Sequence, residues 1–280
     1  MGYPDLQGKV ALVTGIGQMG DTGIGQQDPN IWGNGAAIAK KLYDYGAKVF
    51  GCDLVLSSAE ETQGLIKSAS PSSNTPGSID VIQADVTSAS SVKAMINACI
   101  QKHGRIDILV NNVGRPAPGG AGDMDEATWD AQINVNLKSV FLCSKFALPH
   151  LESVGGVVVN LGSVAGVGWT GKAQIGYATT KGAVIQYTRV AAVEYAKRGV
   201  RFNCVSPGLV HTPLVTFIAQ KYPPYDYDAT IKKRNNQVPM GKMGRAWDVA
   251  EGVCWLSSEK SGFVTGHNLL VDGGQVASLL

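Results

Sequence analysis

The chain has 280 residues, 44% hydrophobic and 16% charged, enough to bury a large core and suited to a single α/β domain over residues 1–280. Its 24 Lys and Arg against 22 Asp and Glu leave a net charge of +2 without a basic run, so the electrostatic footprint of a nucleic-acid binder is missing. No apolar run approaches the roughly 20 residues of a membrane helix, and no basic stretch leads into an apolar core at the start, so a soluble cytoplasmic protein with no membrane partner is expected. Gly2 follows Met1, but Asp5-Leu6 lacks the Ser or Thr of a myristoylation signal. Five cysteines without Cys-x-x-Cys spacing and four dispersed histidines argue against a disulfide framework and against a metal site.

Short runs rich in valine and isoleucine alternate with longer stretches of helical period, the pattern of a doubly wound parallel sheet covered by helices on both faces. Strands are predicted at 9–14, 48–53, 79–84, 106–110, 156–161, 201–205 and 268–271, seven in all. Helices are predicted at 36–45, 88–103, 126–148, 177–198 and 247–257, several opening on a Ser, Thr or Asp cap. The polar stretch 71–78 reads as a surface loop. In such a sheet ligands bind at the carboxyl ends of the strands, near the point where strand order reverses.

After the first strand, Gly15-Ile16-Gly17-Gln18-Met19-Gly20 matches a dinucleotide fingerprint by letter. That fingerprint works when its last glycine opens a helix whose free N–H groups meet the pyrophosphate. Here the next ten residues are too rich in glycine and too poor in apolar residues for that helix, and helical period begins only at Gly33-Asn34-Gly35-Ala36. The expected arrangement is a turn at Thr14-Gly15-Ile16, a helix opened by Gly33, Asn34 and Gly35, and about fourteen residues bulging between them. A glycine-rich surface loop is the competing reading. Asp53 ends the second strand, eighteen residues past Gly35, where a carboxylate accepts hydrogen bonds from ribose hydroxyls and repels a 2′-phosphate. Leu54, Val55 and Leu56 offer no cation to hold such a phosphate, so NAD is favoured and NADP less expected.

Tyr177 and Lys181 lie four positions apart, fourteen or more past Ser163. On a helix that spacing stacks a phenol and an ammonium on one face, and a cation beside a phenol favours the phenolate, suiting tyrosine to acid or base work. Tyr-x-x-x-Lys also arises by chance, with the tyrosine packed and the lysine solvated.

Taken in order, these motifs resemble those of the short-chain dehydrogenase/reductase family from about Gly8 to Gly274. The resemblance implies a Rossmann-type fold. It further implies that Asp85-Val86 contacts the adenine, and that Asn112 and Gly114, in Asn111-Asn112-Val113-Gly114, brace the sheet and border the adenosine ribose. Asn136 would hold a water beside the lysine. Ser163, Tyr177 and Lys181 match the catalytic serine and the Tyr-x-x-x-Lys pair, with Tyr177 and Lys181 also at the cofactor. Pro207, Gly208, Val210 and Thr212, in Ser206-Pro207-Gly208-Leu209-Val210-His211-Thr212, match the segment that holds the nicotinamide end. The departure is the first glycine loop, much wider here than in most members. Enoyl-reductase relatives can carry an expanded loop too, but they separate tyrosine and lysine further, which argues against carbon–carbon double-bond reduction.

The implied activity is hydride transfer between NAD(H) and a secondary alcohol or ketone, with Tyr177 as acid or base, Ser163 donating to the reacting oxygen and Lys181 binding the nicotinamide ribose. The competing reading keeps the fold without net redox turnover, as a nucleotide-binding sensor or an isomerase, cyclase or dehydratase. Residues 212–240, with Tyr222-Pro223-Pro224-Tyr225 at their centre, read as a substrate lid or as a surface loop. Trp169 and Gln174, and His211 unless it is structural, are candidates to border a pocket for a bulky or cyclic molecule with few charges. The resemblance implies a homotetramer, or next a dimer, formed through the helices at 126–148 and 177–198, with the apolar tail 276–280 in a second interface.

Overall fold

A computed structural model describes residues 2–18, 31–69, 77–221 and 226–278. Seven strands form one sheet in the order β3-β2-β1-β4-β5-β6-β9, every neighbouring pair parallel. These are β1 (Val10–Thr14), β2 (Lys48–Asp53), β3 (Ser78–Gln83), β4 (Ile108–Asn111), β5 (Val157–Leu161), β6 (Arg201–Pro207) and β9 (Asn268–Val271). Two further strands of two residues, β7 (Val210–His211) and β8 (Gly244–Arg245), pair with each other outside the sheet. Helices α1 (Asn34–Asp44), α2 (Leu56–Ser68), α3 (Ala89–His103), α4 (Glu126–Ile133), α5 (Ser139–Glu152), α6 (Ile175–Ala196), α7 (Pro213–Lys221), α8 (Tyr227–Asn236) and α9 (Ala246–Ser257) complete the described elements.

The central strands read as unbroken apolar runs because both faces are covered. Along β1, Ala11 and Val13 enter the core beneath α1 and α9, while Val10 and Leu12 enter the opposite core with Leu109, Leu148 and Leu151. On the first face Trp32 and Trp247 hold their rings 5.1 Å apart. Asp107, 4% exposed, ties β1 to the approach of β4: its Oδ2 accepts from the Val10 N–H at 2.9 Å and from Arg105 Nε at 2.9 Å.

Four expectations need correction. First, α2 escapes detection because its buried side is Ser58, Ala59, Thr62 and Ile66, too polar for a clear apolar stripe. Second, the helix expected at 126–148 is α4 and α5 joined by a π-helical turn, Asn134–Lys138, and it continues to Glu152 with Pro149 in its last turn. Third, the segment 212–240 is mainly two helices, α7 and α8, although its Tyr222-to-Tyr225 centre lies outside the described residues. Fourth, β3 begins at Ser78, the last residue of the loop predicted at 71–78, because the Ser78 N–H already donates to the Ala47 carbonyl at 3.2 Å. The glycine-rich stretch 19–30 and most of the loop predicted at 71–78 also lie outside the described residues.

The chain winds outward from β1 through β2 to β3, then crosses back to place β4 on the other side of β1. Strand order therefore reverses between β1 and β4, and the carboxyl ends of these two strands open into a large cleft.

Candidate active site

The cleft has a volume of about 1730 Å³, larger than the ~300–1,000 Å³ typical of a small-ligand pocket and roomy enough for a dinucleotide beside a substrate. One end is a glycine cradle. Gly15 turns the chain off β1 at φ +70°, a left-handed conformation that side chains resist. A Cβ on Gly35 would stand 2.0 Å from the Gly15 carbonyl oxygen and 2.5 Å from Asn112 Nδ2, so the start of α1 can approach β1 only as glycine. Gly33 caps α1, its N–H donating to Gln18 Oε1 at 2.9 Å. The Asn34 Oδ1 and Ser58 Oγ atoms, both buried, find no hydrogen-bond partner among the described residues. A helix N-terminus opened by glycines and flanked by unpartnered amide and hydroxyl groups suits the pyrophosphate of a dinucleotide.

Ile16 is a correction. Its side chain is fully buried, against the point a Cβ on Gly51 would occupy, and its N–H donates to the Cys52 carbonyl at 3.2 Å, so it does not border the cleft. Gly17 and Gln18 line it instead. Asp53 borders the same end, where its Oδ2 accepts from the Gly17 N–H at 2.8 Å and its Oδ1 from the Val55 N–H at 3.2 Å. These bonds fix the carboxylate in place. Asp85 and Val86 line the wall beyond β3, with Asp85 Oδ1 accepting from the backbone and hydroxyl of Thr87. The Asn112 amide donates to the carbonyls of Thr14 and Gly15 at 3.0 and 2.9 Å, bracing β4 to the glycine turn. Pro207, Gly208, Val210 and Thr212 line the cleft at and beyond the carboxyl end of β6.

Midway along the cleft, α6 carries Tyr177 and Lys181 one turn apart, and Ser163 follows β5. Lys181 is 2% exposed; its Nζ donates to the Leu161 carbonyl at 2.7 Å and lies 5.7 Å from the centre of the Tyr177 ring. Burial pushes its ammonium down to about 8. Tyr177 departs from expectation. Desolvation holds the phenol above its ordinary value, and the Ser163 hydroxyl pulls the other way. The loss of hydration around the ring outweighs stabilisation of the phenolate.

Asn136 is fully buried behind this group, off the cleft wall, in the π-helical turn. Its Oδ1 accepts from the Arg115 N–H at 2.9 Å, and its Nδ2 donates to Gln132 Oε1 at 3.0 Å. Lys181 Nζ and Asn136 Oδ1 lie 2.9 and 3.0 Å from the point a Cβ on Gly114 would occupy, so Gly114 keeps both polar atoms within reach of one small space. Gly166 does similar work: a Cβ there would meet the Lys181 carbonyl carbon and the Gly182 nitrogen at 2.5 Å, so the loop after Ser163 rests directly on α6.

Two groups were not singled out from sequence. A buried polar chain runs from Asn111 Nδ2 to Asn160 Oδ1 at 2.8 Å and from Asn160 Nδ2 to Thr188 Oγ1 at 2.9 Å, joining β4, β5 and α6 beneath the site. Its signals in the sequence are Asn160, a polar letter inside the strand predicted at 156–161, and Asn111, the first letter of the Asn111-Asn112-Val113-Gly114 motif. At the far end of the cleft, Trp169 and Gln174 appear as expected, joined by Lys172 and, from α7 and α8, by Phe217 and Arg234. His211 does not line the cleft, and its Nε2 is hydrogen-bonded to the Tyr227 hydroxyl at 2.9 Å. Among the described residues no group of three His, Cys, Asp or Glu side chains could hold a metal, and no helix is long and apolar enough to cross a membrane.

A nucleotide cradle at a sheet's switch point, with a tyrosine, lysine and serine at its inner end, defines a dinucleotide-fold oxidoreductase. A family model described as enoyl-(acyl carrier protein) reductase matches residues 30–275. The 3-oxoacyl-(acyl-carrier-protein) reductase of Thermotoga maritima is 34% identical over 97% of this chain and 99% of its own length. The L-fucose dehydrogenase of Bos taurus is 34% identical over 95% and 89%. Among solved structures, a Burkholderia xenovorans chain described as a short-chain dehydrogenase/reductase is 43% identical with a TM-score of 0.88, covering 99% of both chains. Ligand-free Thermoplasma acidophilum aldohexose dehydrogenase is 31% identical with a TM-score of 0.81, covering 99% and 97%. The chain belongs to the short-chain dehydrogenase/reductase family, whose members use NAD(P).

Proposed function

We propose that the protein interconverts a secondary alcohol and a ketone on a bulky or cyclic small molecule, using NAD(H) in preference to NADP(H), with Tyr177 as general acid and base. The observation that carries this reading is the convergence of Ser163, Tyr177 and Lys181 in the middle of a cleft that ends, on one side, in a glycine cradle flanked by Asp53. The nicotinamide, when bound, supplies or accepts the hydride.

In the reductive direction the Tyr177 hydroxyl gives its proton to the substrate oxygen while Ser163 Oγ donates a hydrogen bond to the same atom. Both act on charge that grows in the transition state. A phenol held above its ordinary value stays protonated at neutral pH and is ready to act as the acid. Lys181 would hold the nicotinamide ribose, and it shares its small space with Asn136 Oδ1, where a water would exchange protons with the site. Asp53, held by the Gly17 and Val55 N–H groups, would accept hydrogen bonds from the adenosine ribose and repel a 2′-phosphate. The four-residue spacing of Tyr177 and Lys181 supports carbonyl rather than double-bond reduction.

Exposed Phe141 on α5 and Val190 and Val193 on α6 support burial against a second copy, and a homotetramer is the assembly we infer. Light scattering that finds a monomer at micromolar concentration overturns it. Five buried thiols without a disulfide suit the reducing cytoplasm. The activity is tested by following reduced-nicotinamide absorbance across a panel of ketones and alcohols. Tyr177→Phe is expected to lower turnover by about two to four orders of magnitude while NADH affinity stays nearly unchanged. Turnover within a few-fold of wild type removes Tyr177 from the role.

A further inference from the structure

Charge is distributed unevenly along the cleft. Among the described residues the carboxylates that line it are Asp53 and Asp85, near the ends of β2 and β3 at the nucleotide end, and both are engaged with N–H or hydroxyl groups. Lys181, in the middle, donates to the Leu161 carbonyl and belongs to the cofactor side of the proposed site. Beyond it lie two more cations, Lys172 on the segment that joins Ser163 to Tyr177, and Arg234 in the last turn of α8. Among the described residues neither has an acidic side chain within 4.0 Å. The Lys172 ammonium is held below the ordinary lysine value by desolvation at the cleft wall and, after it, by the positive charges of Arg234 and Lys233, so the two cations of the cleft sense each other. The Arg234 guanidinium, half-buried, is likewise lowered by desolvation.

Two uncompensated cations that line one cavity repel each other, and an anion seated between them relieves that repulsion. The walls between them and Tyr177 are apolar or neutral, including Trp169, Leu214, Phe217 and Gln174. We propose that the substrate carries an anionic oxyacid group, a carboxylate or a phosphate, seated between Lys172 and Arg234, with its apolar body lying along this wall and its reacting carbon at Tyr177. The planar Arg234 fork suits two oxygens of such a group, and Lys172, which reaches solvent at the mouth, adds attraction on entry. This deepens the oxidoreductase reading and rests on it for taking this end of the cleft as the substrate side.

The test measures binding as well as turnover. Cyclic carboxylates and their matching neutral carboxamides are titrated calorimetrically into the NAD-saturated protein. The carboxylates are expected to bind at least about tenfold more tightly, the worth of one charge-assisted contact. Lys172→Met and Arg234→Met keep the apolar stems but remove the charges, and the pair together should abolish that preference while the dissociation constant for NAD stays within a few-fold. Phosphate monoesters, run beside the carboxylates, show which oxyacid is preferred. No preference for any anion over its neutral partner overturns the proposal. So does a double variant that loses NAD affinity in parallel, because the cations then serve the cofactor's pyrophosphate. Ketone turnover without an anion preference sinks this inference alone, whereas anion preference without turnover of any ketone or alcohol sinks the oxidoreductase reading and leaves the anion site standing.

Discussion

Replacing Lys181 by methionine removes a cation that the fold buries at a cost, and the pH dependence of stability should report it. The side chain is 2% exposed, and its pKa falls from 10.5 to about 8 on folding because the charged form loses water. That fall corresponds to about 3 kcal/mol of lost proton affinity. Between pH 8 and 10.5 the unfolded chain holds this proton and the folded chain releases it, so stability from this group rises with pH across that window. Below pH 8 both states are protonated and the full penalty applies. From pH 7 to 9 the gain works out at about 1.3 kcal/mol. Buried thiols such as Cys52 and Cys99, pushed up to about 12, act in the opposite sense above pH 9, where the unfolded chain ionises first. They are common to both proteins and cancel in the difference.

The assay is urea unfolding of wild type and Lys181→Met, without cofactor, at fixed protein concentration and at pH 7, 8 and 9. At pH 7 the variant escapes the burial penalty but forfeits the hydrogen bond to Leu161, worth about 1.5–3 kcal/mol, so the two stabilities should lie close together. Wild type should then gain on the variant by about 1.3 kcal/mol by pH 9. Parallel pH profiles would refute the claim that this ammonium is held against its hydration.

Two further outcomes follow from the nucleotide end. Asp53→Ala removes the carboxylate at the nucleotide end of the cleft that we propose meets the ribose, so the ratio of kcat/KM for NADH over NADPH should fall by about tenfold or more; an unchanged ratio shows that Asp53 does not select the cofactor. Gly35→Ala drives a Cβ into the Gly15 carbonyl at 2.0 Å, so the start of α1 must move away from β1. NADH affinity, followed by fluorescence, should drop by more than about tenfold, with circular dichroism checking that the helices persist. Wild-type affinity in a folded Gly35→Ala protein would mean that the cradle does not hold the cofactor.

Much of the molecule was legible from local pattern. The seven strands announce themselves because residues such as Val10 to Val13 are buried on alternate faces of a sheet covered on both sides, which forces apolar letters at every position. Tyr177 and Lys181 are readable because helical geometry makes a four-residue spacing a spatial contact. Asp53 is readable because a strand end is a place as well as a position in sequence. Where burial is small or polar, legibility fails: α2 hides behind Ser58 and Thr62, and α8 has no buried residue at all.

Sequence alone thus determined the strand order along the chain, the family and the candidate proton-transfer group, since each depends on neighbours within a turn or a strand. Tertiary structure decided what lies across from what. Ile16 turns inward because Gly51 leaves room for it, and Asn136 meets Lys181 only because a π-helical turn and Gly114 bring them to one space. Lys172 and Arg234, sixty-two residues apart, line one cleft, a meeting that no local pattern records. Periodicity records how a segment meets the core, whereas the meeting of two distant side chains depends on the packing of every element between them.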